Sequence, residues 1–382
     1  MDKSRRDPLI DAVRGLALVM IFINHVPGNP LEELTSRNFG PSDATELFVF
    51  LAGYSAAIVY GRRMERDGLV RTSFRLWGRA FNLYVLHLFT LLLATAIAAT
   101  ASLVTADPHL LDWINLGPIF FDPVPTLIGV VTLGHQAGYF NILPLYILLM
   151  AAASVMLPLV KINPWAALAP SVGLYLAVQI GDLNFPNYPT SGTWFFNPMA
   201  WQMMFVIGLV CGNRARNGLI PVPYHPFVAM AAGLVIVVGL GMKLAGYYPS
   251  PDALPLPFFM FGQDKTFMTV PRLVHALALL YLGAHFGARA ALRWLGPIGR
   301  SLEEMGRHGL LIFCTGSVFA ILAQLCLFAI DADRLTAGAV VLAGLAGLMF
   351  LAKGRSWYLG VSRVEQQLGS SPQPSALPAN SV

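Results

Sequence analysis

The chain has 382 residues, of which 56% are hydrophobic and only 12% charged, with a formal net charge of +5. A soluble domain usually carries about a quarter charged residues, so a soluble globular fold is excluded. The excess of basic residues reads as the cytoplasmic-loop bias of a membrane protein rather than as a nucleic-acid surface.

The apolar residues gather in long runs joined by short polar segments, and such runs can cross a hydrocarbon core of roughly 30 Å as helices. The alternating pattern of a lipid-facing barrel is absent. The fold expected is an all-α polytopic membrane protein of about ten transmembrane helices, at 9–27, 44–61, 77–104, 140–160, 164–181, 197–212, 226–245, 271–288, 308–330 and 336–352. Residues 1–360 form one integral membrane domain, and the Ser/Pro-rich remainder, 361–382, reads as a disordered cytoplasmic tail.

The start "MDKSRRD" and the apolar stretch after it imitate a signal peptide. Asp11 and Arg14 interrupt the stretch, however, and "VPGNPLEEL" offers no small-x-small cleavage site. The first span therefore holds three ionisable residues, Asp11, Arg14 and His25. Eleven helical residues advance the chain by roughly 16 Å and turn it about three times, so Arg14 and His25 share nearly one face. Asp11 lies one turn from Arg14 and can partner it. Snorkelling explains Arg14 alone, and a cap before "PGNP" explains His25 alone, but ionisable groups inside a membrane are functional candidates by default.

Glu46 heads the second span at about the depth of His25, where it can orient an imidazole or simply favour a helix N-terminus. Gly53 in the same span reads as a close helix contact. Arg75, Arg79 and Asn82 share a face at the start of the third span, as a cradle for phosphates or as ordinary inside-positive residues. Tyr84 and His87 sit farther up on a different face, and His87 reads equally well as a packing residue. The stretch 116–133 carries Pro118, Pro123 and Pro125 and reads as a surface or re-entrant segment.

Cys211, Cys314 and Cys326 are isolated within predicted helices, so neither a disulfide nor a metal site is expected. Asn197, Trp201 and Gln202 cluster at the head of the sixth span and suit sugar hydroxyls and sugar faces, or an interfacial belt. Arg272 and His275 share a face at the outer end of the eighth span and can bind a carboxylate or line an acceptor channel; Lys265 is a weaker candidate. Tyr188, Trp194, Phe195, Phe196, Tyr247 and Tyr248 in the outer loops can stack on sugars or belong to the belt. Arg307 and His308 fall on the opposite, inner side. Of the 25 basic residues only Arg37, Lys243, Lys265, Arg272 and Arg334 fall on the outer side, with Arg14 inside the first span. That bias places both termini in the cytoplasm.

The stretch "DAVRGLALVMIFINH" resembles the opening of the membrane-bound acyltransferase 3 superfamily, with its Arg-x(10)-His spacing. Further stretches resemble the OpgC family, which succinylates osmoregulated periplasmic glucans: "ELFVFLAGYSAAIVYGRR", "GRAFNLYVLHL", "FNILPLY", "FNPMAWQMMFVIG", "RLVHALALLYL" and "GRHGLLIF". They occur in the family's order and cover nearly the whole chain outside the tail.

The resemblance implies a bacterial inner-membrane enzyme with succinyl-CoA as cytoplasmic donor, a periplasmic β-glucan as acceptor, and no permanently bound cofactor. It makes His25 the general base, and Arg14, held by Asp11, the contact to CoA or to the acyl carboxylate. A base near neutral pH suits attack of a hydroxyl on a thioester. No Ser- or Cys-centred nucleophile motif is evident, which favours direct transfer. Alternatives are an acetyl or other acyl transferase for another surface glycan and, from a different class, a transporter or flippase, against which the lack of an internal repeat counts.

Overall fold

The structure, a computed structural model, describes residues 7–247, 253–254 and 256–369. The helices are α1 (Pro8–Asn24), α2 (Ala44–Asp67), α3 (Leu69–Thr105), α4 (Gly117–Phe121), α5 (Pro123–Val131), α6 (Ile142–Ile162), α7 (Pro164–Gly181) and α8 (Pro198–Arg216). They continue with α9 (Pro226–Leu244), α10 (Phe258–Phe261), α11 (Val270–His285), α12 (Ala288–Trp294), α13 (Gly296–Arg307), α14 (Gly309–Ala329) and α15 (Arg334–Gly369). Among the described residues there is no strand, only an isolated bridge between Pro186 and Thr193.

Each of the ten apolar segments expected to span the membrane is helical. Six helices are long and apolar enough to cross a membrane: α2, α3, α6, α9, α14 and Arg334–Gly360 of α15. A seventh arises if α11 and α12, bent by 68°, are one broken span. The chain is thus a multi-pass membrane protein. The proline-rich 116–133 segment forms the short helices α4 and α5, because its prolines stop each helix from continuing. The helix α15 continues to Gly369, into the segment expected to be a tail; residues 370–382 of that tail lie outside the described residues.

Local chemistry sets the helix starts. Asp7 caps α1, its carboxylate accepting the Leu9 N–H at 3.0 Å, with Pro8 in the first turn. Asp43 and Glu46 form a capping box at the head of α2. Asn163 and Asn197 cap α7 and α8, each followed by proline.

Small residues then let the helices close. A Cβ on Gly306 would lie 1.7 Å from the Asp11 carbonyl oxygen, and one on Gly15 1.9 Å from that of Leu302, so α1 and α13 pack backbone against backbone. The pair Gly53 and Gly208 brings α2 against α8 in the same way. Large apolar side chains such as Phe81, Phe89 and Leu92 on α3, and Phe227 and Val237 on α9, stay exposed, as lipid-facing positions do.

Candidate active site

The α1–α13 contact determines where Arg14 points. Its Nη1 donates to Asp11 Oδ1 at 2.9 Å and to the Gly306 carbonyl at 3.2 Å, and its Nη2 donates to Ser55 Oγ at 2.5 Å. Three helices, α1, α13 and α2, therefore hold one guanidinium. It faces a cavity of about 530 Å³ lined also by Arg79, Arg307, Arg355 and His308 at the end of the bundle where α1 begins. Toward the head of α2 and the start of α6 the lining is Phe48, Ile142, Leu143, Tyr146 and Phe313. Four guanidiniums in one cavity suit a polyanion, because the planar fork matches phosphate oxygens.

Arg75, Arg79 and Asn82, expected to act together, are separated. Arg79 lines the cavity. Arg75 is exposed and pairs with Asp67, and Asn82 is exposed and not among the cavity residues. Arg355, which the sequence offered only as one more inside-positive residue, reaches the cavity from α15.

His25 caps the C-terminus of α1 and does not line this cavity. Its ring stands 4.5 Å from that of Tyr139, centroid to centroid, at 49°. Its carbonyl accepts a hydrogen bond from Gln324 Nε2, while Gln324 Oε1 accepts one from Trp113 Nε1 at 2.8 Å. The Tyr139 hydroxyl faces the same Gln324 amide. These partners were not singled out in the sequence, although Gln324 is the lone amide in the apolar run of α14 and carries a usable signal there.

The backbone beneath this cluster is strained. Ile114, Asn115, Leu133 and Tyr139 all have positive φ, between 55° and 65°. A left-handed residue costs about 1–2 kcal/mol, and a β-branched one such as Ile114 is a true outlier. Two bonds tie the segments together, Gly138 N–H to the Ile114 carbonyl and Asn115 Nδ2 to the Gln136 carbonyl, both at 2.9 Å. Such strain gathers where a side chain must be aimed.

Glu46 does not partner His25. Its Oε1 accepts from Arg272 Nη2 at 2.5 Å and Nε at 2.9 Å, and its Oε2 accepts the Asp43 N–H at 2.9 Å. The carboxylate is fully used by the capping box and by neutralising a buried arginine. Asp43 Oδ2 in turn accepts from Lys265 Nζ at 2.6 Å and from Arg272 at 3.4 Å. Burial alone would raise the Asp43 carboxyl, but Lys265 and Arg272 outweigh it and hold it well below the usual carboxylate range. Arg272, expected to bind a ligand carboxylate, is thus committed to protein carboxylates. Its companion His275 is buried, with Nδ1 on Ser42 Oγ at 2.7 Å and its ring packed against Gly40 and Gly239.

The expected acceptor residues on α8 are also internally committed. Asn197 Nδ2 donates to the Leu183 carbonyl and Trp201 Nε1 to the Lys265 carbonyl, at 2.7 and 3.0 Å. Gln202 exchanges bonds with Ser171 on α7. All three are buried, so they brace α7 and the loops at Leu183 and Lys265 from behind and do not present polar atoms to a sugar. His87 is likewise buried, and neither of its ring nitrogens has a partner. Among the described residues no group of three or more His, Cys, Asp or Glu is arranged to hold a metal ion.

The molecule is a multi-pass helical membrane protein with an arginine-lined cavity at one end of its first helix and a strained polar cluster around a histidine at the other. A family model described as OpgC protein matches residues 6–359. The chain therefore belongs to the OpgC protein family. No curated protein and no solved structure matches it.

Proposed function

We propose that the protein is an acyl-CoA-dependent O-acyltransferase of the bacterial inner membrane. In this reading it moves a succinyl group from cytoplasmic succinyl-CoA to a hydroxyl of an osmoregulated periplasmic glucan. All ten long helical segments cross the bilayer, with both termini in the cytoplasm. The observation that carries the reading is the cavity in which Arg14, Arg79, Arg307 and Arg355 meet. Its arginines suit the phosphates of CoA, and its apolar lining suits a pantetheine arm.

Depth then assigns roles. His25 lies roughly 16 Å along α1 from Arg14, so one residue cannot serve the thioester while the other holds the same short acyl group. Arg14 belongs to the phosphate and pantetheine end, and His25 to the thioester and acceptor. The acceptor oxygen attacks the thioester carbonyl carbon as His25 takes the hydroxyl proton. The C–S bond breaks, the CoA sulfur leaves with the electron pair and takes the proton from the imidazolium, and His25 returns neutral. Tyr139 and Gln324 hold the ring and the backbone of His25 during this exchange.

A second reading, transfer of acetyl, is favoured by the apolar lining of Phe48, Ile142, Leu143 and Phe313. Full-length protein in lipid nanodiscs, given succinyl-CoA or acetyl-CoA and a β-glucan, tests both. Glucan-dependent release of CoA thiol with a matching mass gain on the glucan is expected. His25→Ala should lower the rate about 10²- to 10⁴-fold with an unchanged thermal midpoint. Full transfer in that variant would refute the base, and no release from either donor would refute the acyltransferase.

A further inference from the structure

One face of α2 runs the length of the site. Thr45, Phe48, Ala52, Ser55 and Val59 recur at steps of three and four residues, the spacing of a single helical stripe. The last four line the cavity. Ser55 accepts the Arg14 bond, and Thr45, about 15 Å farther along the same stripe, accepts a bond from Lys265 Nζ at 3.1 Å. Lys265 therefore lies less than one helical turn beyond Phe48, which lines the cavity.

Lys265 differs from its neighbouring cation. Arg272 is buried and points two nitrogens at Glu46. The Lys265 side chain is 27% exposed. An ammonium has three donors; Asp43 and Thr45 take two, and the group stands 5.6 Å from the Phe196 ring centre. Its backbone is fixed from several sides. Trp201 Nε1 holds the Lys265 carbonyl at 3.0 Å, the Asn197 N–H the Thr266 carbonyl at 3.2 Å, Gln179 the Phe267 carbonyl and Tyr175 the Met268 carbonyl, the last two at 2.7 Å. A cation on a braced loop, with one donor left over, is preorganised for an anion.

We propose that Lys265 binds the terminal carboxylate of the donor's acyl group and so selects a dicarboxylic acyl donor over acetyl. The inference rests on the acyltransferase reading above. With the thioester beside Phe48, a four-carbon diacyl group reaches about one helical turn farther, far enough to pass the three-residue step from Phe48 to Thr45, whose hydroxyl the ammonium holds. An acetyl group ends short of it. Asn197 and Trp201 then contribute by holding the Lys265 loop.

The test is a donor competition in one preparation: succinyl-CoA against acetyl-CoA at equal concentration, with the two glucan products counted by mass. Because both products come from the same molecules, their ratio is independent of the fraction folded. Lys265→Met should lower the succinyl-to-acetyl ratio about 10- to 100-fold, the worth of a hydrogen bond to a charged group. Lys265→Gln, which keeps reach without charge, should lower it comparably and serves if the first variant does not fold. Lys265→Arg should restore most of it. An unchanged ratio in the Met and Gln variants, whether or not total transfer falls, overturns the inference. A wild-type protein that transfers acetyl and never succinyl overturns the donor reading instead.

Discussion

Arg14 is held by a carboxylate, a carbonyl and a hydroxyl from three different helices. Lysine carries the charge on one nitrogen and cannot bridge all three groups while still facing the cavity. Arg14→Lys should therefore raise the KM for acyl-CoA about tenfold, roughly the loss of one charge-assisted bond, and leave the unfolding midpoint within a few degrees. A KM equal to wild type would show that only charge matters there. Glu46 poses the opposite case. Glu46→Gln removes the principal neutralising partner of a buried arginine, a change that costs about 3–5 kcal/mol, and Asp43 at 3.4 Å tempers it. The expected result is a clear fall in thermal midpoint, before any effect on chemistry is considered.

The same cluster makes a pH prediction. A carboxyl whose folded value is depressed stabilises the fold above its unfolded value, about 3.9, and that stabilisation is lost as pH falls toward the folded value. The Asp43 pairings therefore persist between about pH 5 and 8. A loss of transfer on acidification within that range, at constant thermal midpoint, therefore belongs to a group other than Asp43. A midpoint that falls in parallel with transfer there would assign the limb to unfolding.

At the scale of elements, the seam between α1 and α13 is the sensitive one, because Gly306 and Gly15 admit no side chain. Gly306→Ala pushes a methyl into the Asp11 carbonyl oxygen at 1.7 Å. Overpacking costs about 1–3 kcal/mol, and the shift also moves Arg14, so both stability and acyl-CoA binding should fall. Gly354→Ala in α15 is the control: nothing lies within 4 Å of its added Cβ, and alanine is the better helix former by up to about 1 kcal/mol. Equal thermal midpoints for the two variants would contradict the packing described.

Elements were largely legible in the sequence because lipid crossing demands apolar runs. Their ends were less so. The helices α3 and α15 continue well past the apolar runs 77–104 and 336–352, since a helix in water needs helix-forming residues and not apolar ones. Arg14, Asp11 and Arg79, picked out by face and depth, line one cavity. Depth ranked Arg79 ahead of Arg75, but the Asp67 partner that draws Arg75 away was not legible, because it comes from the end of the preceding helix. Nor was it legible that Asn197, Trp201 and Gln202 turn inward, since amides and indoles serve sugars and carbonyls equally well.

At the scale of the whole molecule, the charge distribution and the cavity make one joint prediction. The arginine-lined end lies where α1 begins, and the cluster of His25, Lys265 and the loop around Tyr188 lies toward the other end. If the donor is cytoplasmic, the first end must face the cytosol. Cys211 and Cys314 are buried and Cys326 is exposed, so replacing Cys326 with serine leaves a chain with little background for thiol labelling. A cysteine at Tyr188 should then react with a membrane-impermeant maleimide added to intact spheroplasts. One at Arg71 should react only after the membrane is opened, and a reporter fused after Val382 should read cytoplasmic. With Arg71 and the tail reporter outside, the arginine cavity would face the periplasm, where no acyl-CoA exists to fill it. The ten-span orientation and the donor assignment would then fall together.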